Sequence, residues 1–331
     1  MMRFLIAGLG SIGRRHLRNL QALGQTDILL YRTHSASLPD SELEGIPEFT
    51  DLAEALAQKP DAVIISNPTS AHMSVALPAS AAGCHLLIEK PISQDMAGMS
   101  ELRANLARTG RQVLMGFHYR YHPVLCQVKT LLDSGQLGQP FSVHAHWGEY
   151  LPDWHPWEDY RRGYAARADL GGGVVLTLSH PLDYLRWLIG EVDAVSATLA
   201  HVSPLELDVE DHADITLRFT RGCPGSVHLD YYQRPPAHWF EIITESGFIR
   251  WNNASGTAEI YSVATKDWQH LDPPAGFERN DLFLAEMAHF IKVCQGSQYS
   301  GCDLEDGIRA LEIALAVHHS AVAGSRLVSL A

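Results

Sequence analysis

Six residues near the N-terminus, Gly8-Leu9-Gly10-Ser11-Ile12-Gly13, restrict this chain more than any other stretch. They follow the apolar run Arg3-Phe4-Leu5-Ile6-Ala7 and open an amphipathic segment, Ile12 to Leu23, that Gly24 ends. G-x-G-x-x-G between a strand and a helix is the fingerprint of a dinucleotide-binding turn. Gly8 permits the tight turn, Gly10 lets backbone approach a pyrophosphate, and Gly13 allows close helix-to-strand packing. Ser11 and Ile12 lie in the same turn, at the helix N-terminus that faces the negative phosphates.

The next hundred residues keep the same grammar. Strands are expected at Asp27 to Tyr31, Ala62 to Ser66, Leu86 to Glu89 and Val113 to Phe117. Helices are expected at Leu52 to Gln58, Ala71 to Ala82 and Met96 to Arg108. Alternation of this kind predicts an α/β fold, a doubly wound parallel sheet over residues 1–120. After residue 120 the texture changes. Pro123 to Asp133 reads as helix, and Phe141 to Trp147 alternates as a half-buried strand. Six later segments, from Val195-Leu199 to Ala258-Tyr261, alternate apolar and polar residues between turns. Two helices follow, Asp281-Val293 and Leu304-Ala321. Residues 121–331 are therefore expected to form an α+β domain with a large, mostly antiparallel, open-faced sheet.

A net charge of -13 argues against nucleic acid or an anionic membrane as the main partner. The five cysteines are scattered without a C-x-x-C pair, which fits a reducing, cytoplasmic setting. The apolar start stops at Gly8 and runs into Arg14-Arg15, unlike a signal peptide.

Two further places bear on the ligand. About 20 residues beyond Gly8 stands Asp27, but it begins the second strand, and a ribose is met at the strand's carboxyl end. That end reads Tyr31-Arg32-Thr33, followed by His34 and Ser35. A cation with hydroxyls suits a 2'-phosphate, so Arg32 and Thr33 favour NADP, with NAD possible. The second place is the apolar run His85-Leu86-Leu87-Ile88, which ends in Glu89-Lys90-Pro91. A lysine there lies at the sheet edge where ligands bind. Asn67-Pro68-Thr69 follows the third strand and lies on that edge too.

Taken in order, these elements resemble the Gfo/Idh/MocA family, the glucose-fructose oxidoreductase and inositol dehydrogenase relatives. The resemblance rests on the glycine turn, Ser66 to His72, Glu89-Lys90-Pro91, Gly116 to Pro123 and the Gly171 to Asp183 segment. It implies a Rossmann domain, an open-faced sheet domain and NAD(P)-dependent chemistry on sugars or cyclitols. Within that resemblance Asn67, Thr69 and Glu89 meet the cofactor. Lys90, on the cofactor side, hydrogen-bonds the reacting oxygen, where its charge stabilises a developing alkoxide. His118, after the fifth strand, contacts nicotinamide or substrate.

His180 is the general base that the resemblance implies; an imidazole with an unperturbed pKa of about 6.5 suits that work. Asp183, three residues on, shares its helical face, where it orients the ring, caps the helix or pairs with Arg186. Relatives often carry an aspartate one turn before this histidine, and Thr177 occupies that place here. Pro181 means that the helix is kinked or starts there. Trp154 and Tyr160, in an aromatic loop with Arg161 and Arg162, suit the apolar faces of sugar rings.

His144 and His146 share a strand face and His318-His319 lie on the last helix, without a third ligand at a telling spacing. No metal is expected. The resulting expectation is an NADP-preferring oxidoreductase acting on a secondary alcohol or ketone of a sugar, sugar derivative or cyclitol. It would be a homodimer or homotetramer through the C-terminal sheet. Two rivals stand beside it: a non-catalytic nucleotide sensor, and a glycosidase with tightly held NAD that oxidises, eliminates and reduces. Lys90 and His180 together speak against the first, and Arg32 fits the second poorly.

Overall fold

The computed structural model describes residues 2–33 and 40–330. The chain divides into two compact units, Met1–His118 with Glu278–Leu311, and Tyr119–Phe277 with Glu312–Ala331. Residues 278–311 thus group with the first unit, not with the 121–331 domain expected from sequence. Long-range bonds that no periodicity reveals hold them there. The Met115 amide donates to the Cys302 carbonyl at 2.9 Å, and Arg103 meets Glu305 at 2.6 Å.

Six strands form the first sheet: β1 (Phe4–Ala7), β2 (Ile28–Tyr31), β3 (Glu48–Phe49), β4 (Ala62–Ile65), β5 (His85–Glu89) and β6 (Val113–Gly116). All pairings are parallel, in the order β3-β2-β1-β4-β5-β6. Every residue of β1, β4, β5 and β6 is buried, as expected of strands covered on both faces. The covering helices of this stretch are α1 (Ser11–Ala22), α2 (Leu52–Ala57), α3 (His72–Ala81) and α4 (Met99–Thr109). The order of strand addition reverses between β1 and β4, so the crevice at their carboxyl ends is the topological switch point. Two-residue β3 has no alternation to read and was not expected.

The second unit opens with α5 (Pro123–Asp133) and β7 (Pro140–Tyr150), then the short α6 (Val174–Thr177) and α7 (His180–Ile189). Its strands continue with β8 (Val192–Ala200), β9 (His212–Phe219), β10 (Pro224–Asp230), β11 (Tyr232–Thr244), β12 (Gly247–Asn252), β13 (Thr257–Ser262) and β14 (Asp267–Leu271). Helices α8 (Arg279–Cys294) and α9 (Leu304–Val322) and strand β15 (Val328–Ser329) complete the chain. The nine-stranded sheet runs β14-β13-β12-β11-β7-β10-β9-β8-β15 and is antiparallel except for β7 with β10. Along β9, Ala213, Ile215, Leu217 and Phe219 are buried, and the residues between them are more exposed. The inner face carries α6 and α7; the other face is polar, lined by His144, His146, His228 and Glu241. Edge strands β14 and β15 were not expected. β14 is exposed almost throughout, which leaves it without the buried alternation by which strands are read.

Pro181 settles its own ambiguity. The helical stretch is two pieces, and α7 starts at His180 with the proline in its first turn, where a missing donor costs nothing. Among the described residues, no helix is long and apolar enough to cross a membrane.

Candidate active site

The glycine turn closes directly on the loop after β4. Gly8 has φ +92°, and a Cβ there would fall 2.5 Å from the Asn67 amide nitrogen. A Cβ at Gly13 would fall 2.0 Å from the Gly8 carbonyl oxygen. Both positions therefore require glycine for close backbone approach. Gly10, the N-cap of α1, has nothing within 4 Å of its would-be Cβ, and Ser11 beside it is exposed. An open, backbone-lined helix N-terminus of this kind fits a pyrophosphate. Ser66 clamps the turn, its hydroxyl lying 3.1 Å from the Ala7 carbonyl and 2.9 Å from that of Gly8. In the sequence Ser66 stood at a strand end and opened a family motif, but neither gave it a role, so this clamp was missed.

Asn67 and Thr69 stand on the carboxyl edge beside this turn; Asn67 donates to the Ala71 carbonyl, and Thr69 is 2% exposed. His72 links this loop to the next one along the edge, its ring nitrogens 3.0 Å from the Asn67 carbonyl and 2.9 Å from that of Pro91. Burial lowers the pKa of its ring. Lys90 is half-buried at the end of β5, two strands from β1 and on the same edge. His118, just past β6, stacks on Phe283 of α8 at 4.3 Å.

Behind Lys90 lies a buried acidic pair. Glu89 meets His16 Nε2 at 2.8 Å, and Glu286 of α8 brings a second carboxyl to the same cluster. Burial alone would raise the Glu89 carboxyl, but His16 and then Lys90 hold it below the usual carboxylate range. Glu286 is fully buried, and neither of its oxygens has a hydrogen-bond partner among the described residues. Burial, then the charge of Glu89, pushes its pKa well up, so it stays protonated. The unfolded chain releases this proton above about pH 4.5, whereas the native chain keeps it. Stability from this group is therefore complete below that pH and is lost as pH rises toward the folded value, by at most about 1.4 kcal/mol per pH unit. Urea unfolding should show Glu286→Gln gaining on the wild type between pH 4.5 and 7.5. An unchanged difference would mean that Glu286 ionises normally.

At the carboxyl end of β2, Arg32 is 5% exposed and grips Asp40 through both terminal nitrogens, at 2.9 and 3.1 Å. Arg14 of α1 reaches the same carboxylate at 3.1 Å and Glu42 at 3.0 Å. Arg32 beside Asp40 holds that carboxyl below the usual range. Two guanidiniums thus converge on one anion beside the glycine turn. Neither Arg14 nor Asp40 carries a sequence signal for this. Thr33 is exposed, and His34 and Ser35 lie outside the described residues.

In the second unit, His180 begins α7 and is 2% exposed, edge-on to Tyr119 at 4.9 Å and stacked near Trp147 at 5.7 Å. Trp147 in turn stacks on His238 at 4.2 Å, and the Tyr119 and Tyr184 hydroxyls lie 3.3 and 3.2 Å from the two His238 nitrogens. Asp183, one turn along, is buried and takes a two-pronged ion pair from Arg120 at 2.6 and 3.0 Å. Arg186 goes instead to Glu191. Thr177 is buried on α6, and the Tyr231 hydroxyl donates to the Ala165 carbonyl at 3.4 Å. In the aromatic loop, Trp154 packs edge-on to Tyr231, and the Tyr160 hydroxyl accepts the Glu206 amide at 3.1 Å. Arg161 is paired with Asp159 and Glu206.

Residues 2–117 match the family model described as an oxidoreductase family, NAD-binding Rossmann fold. Residues 125–250 match the C-terminal domain of the same group. The chain belongs to the Gfo/Idh/MocA family. An uncharacterized oxidoreductase of Bacillus subtilis is 28% identical over 337 residues, covering 96% of this chain and 94% of the relative. The myo-inositol 2-dehydrogenase of Thermotoga maritima is 26% identical over 340 residues, covering 96% of each. Among solved structures, levoglucosan dehydrogenase in complex with NADH and levoglucosan superposes with a TM-score of 0.88 at 19% identity, over 99% of both chains. The likeness to that structure shows the fold shared.

Proposed function

We propose that this family member is an NAD(P)-dependent dehydrogenase, NADP favoured, acting on a secondary alcohol or ketone of a sugar, sugar derivative or cyclitol. The observation that carries the reading is that the glycine cradle and Lys90 share one carboxyl edge of one parallel sheet. Relatives named for inositol and levoglucosan support the substrate class.

NAD(P), when bound, supplies the hydride acceptor or donor. In the oxidative direction Lys90 holds the substrate oxygen and stabilises its growing negative charge. His180 takes the hydroxyl proton, general-base help typically worth about 10²–10⁴-fold. Asp183 and Arg120 fix the helix turn that carries His180. Thr177 gives a hydroxyl where relatives often have a charge, so it orients but does not ionise. The exposed face of the second sheet suits contact with a second copy, hence a homodimer or homotetramer.

NADP is favoured because Arg14 and Arg32 already converge on one anion, and a 2'-phosphate would take the place of the Asp40 carboxylate. Charge-assisted hydrogen bonds of this kind are worth about 1.5–3 kcal/mol, or roughly 10–100-fold in affinity. Arg32→Ala should therefore weaken NADPH by that factor and NADH little, while Asp40→Ala should tighten NADPH. Fluorescence titration with both cofactors measures this. If Asp40→Ala instead weakens NADH and leaves NADPH unchanged, Asp40 accepts the ribose hydroxyl and the enzyme prefers NAD.

A further inference from the structure

The outward face of the second sheet carries a histidine and carboxylate cluster that takes no part in the proposed reaction. His212 and Asp214 point to the same side of β9, and on β10 His228 stands directly opposite Asp214, with Asp230 opposite His212. His228 Nδ1 lies 2.7 Å from Asp214 Oδ1, and His212 Nε2 lies 3.1 Å from Asp214 Oδ2. The three donor atoms all fall within 4.8 Å of one another. The spacing H-x-D on one strand gives only two of them. The third comes from the neighbouring strand, where sequence spacing cannot show it.

The atoms behind these donors are arranged as metal sites require. A ligating imidazole is usually fixed by a hydrogen bond from its other nitrogen to a carboxylate or another polar group. Here His228 Nε2 meets Asp230 at 3.1 Å, and His212 Nδ1 meets the Tyr232 hydroxyl at 2.7 Å. Asp230 is itself locked by the Tyr232 and Gln233 amides at 2.9 and 2.7 Å. The His228 ring is stacked on His146 at 4.8 Å, and His146 on Trp239 at 5.5 Å, which holds its plane. Two imidazoles and one carboxylate supply three of the four positions of a tetrahedral zinc-type ion, and the fourth is left for water or for a donor from the second copy that meets this face.

We propose that His212, Asp214 and His228 form a binding site for one divalent transition-metal ion of the zinc type, with Asp230 and Tyr232 as its outer supports. The ion takes the place of the protons now shared between Asp214 and the two imidazoles, and those protons go to solvent.

The test uses the full chain, prepared without a histidine tag and stripped with chelator. Zinc is then measured by equilibrium dialysis, and cobalt by its visible ligand-field absorption. One ion per chain is expected, with a tetrahedral cobalt spectrum. His212→Gln and His228→Gln should each abolish saturable binding, and Asp230→Asn should weaken it by about 10–100-fold. His146→Gln should leave binding unchanged, and circular dichroism checks that each variant is folded. Wild-type protein that binds no stoichiometric ion overturns the proposal. So does binding that survives both His212→Gln and His228→Gln, or binding that is lost in His146→Gln but kept in His212→Gln.

Discussion

Replacing Lys90 by alanine should lower kcat by about 10²–10³-fold, the usual cost of removing one preorganised donor from a developing oxyanion. Cofactor affinity should stay within a few-fold, because the glycine cradle is made of backbone held by Ser66 and Asn67, none of it from the Lys90 side chain. The fold should tolerate the change as well: Lys90 is half-buried, and the paired charge behind it, Glu89, keeps His16. A loss confined to KM would instead mean that Lys90 binds ground state and transition state equally. Steady-state kinetics of wild type and Lys90→Ala, with cofactor titrations of both, distinguish the two results.

Arg120→Ala should have the largest effect on stability, about 3–5 kcal/mol, because it strands a buried carboxylate. Asp183 is 1% exposed, and its two oxygens meet Arg120 Nε and one terminal nitrogen, so the carboxylate has little access to water. The double variant Arg120→Met/Asp183→Leu should recover much of the loss, since burying an ion pair is itself expensive and apolar isosteres often match it. Urea unfolding of the two variants checks this. Equal destabilisation in the single and the double variant would show that the pair is favourable in its own right. Activity separates from stability here: a recovered fold with impaired turnover would mark the pair as positioning His180.

What could be read from the residues was local. The turn at Gly8 to Gly13 specified strand, helix and packing at once, since each glycine has a steric reason that acts over a few residues. Pro181 announced a helix boundary for the same kind of reason. Period-two alternation revealed the strands with one buried face, but not β14 or β15. The supports of the site were out of reach. Arg120 and Asp183 stand 63 positions apart, and nothing in either neighbourhood names the other. Glu286 sits in an ordinary amphipathic helix, and only the return of residues 278–311 to the first unit places it beside Glu89. Arg32 was legible as a cation at the right strand end, whereas its partner Asp40 and its companion Arg14 were not.

The central claim is that the glycine cradle and Lys90 serve hydride transfer at a carbinol carbon. Its most direct test follows nicotinamide absorbance while purified protein meets a panel of sugars, sugar derivatives and inositols with NADP and NAD. The account predicts stoichiometric cofactor reduction, or oxidation with the matching ketones, for at least one member, and its loss in Lys90→Ala protein that still binds cofactor. Tight cofactor binding without net turnover on any member would contradict it, as would turnover that survives Lys90→Ala.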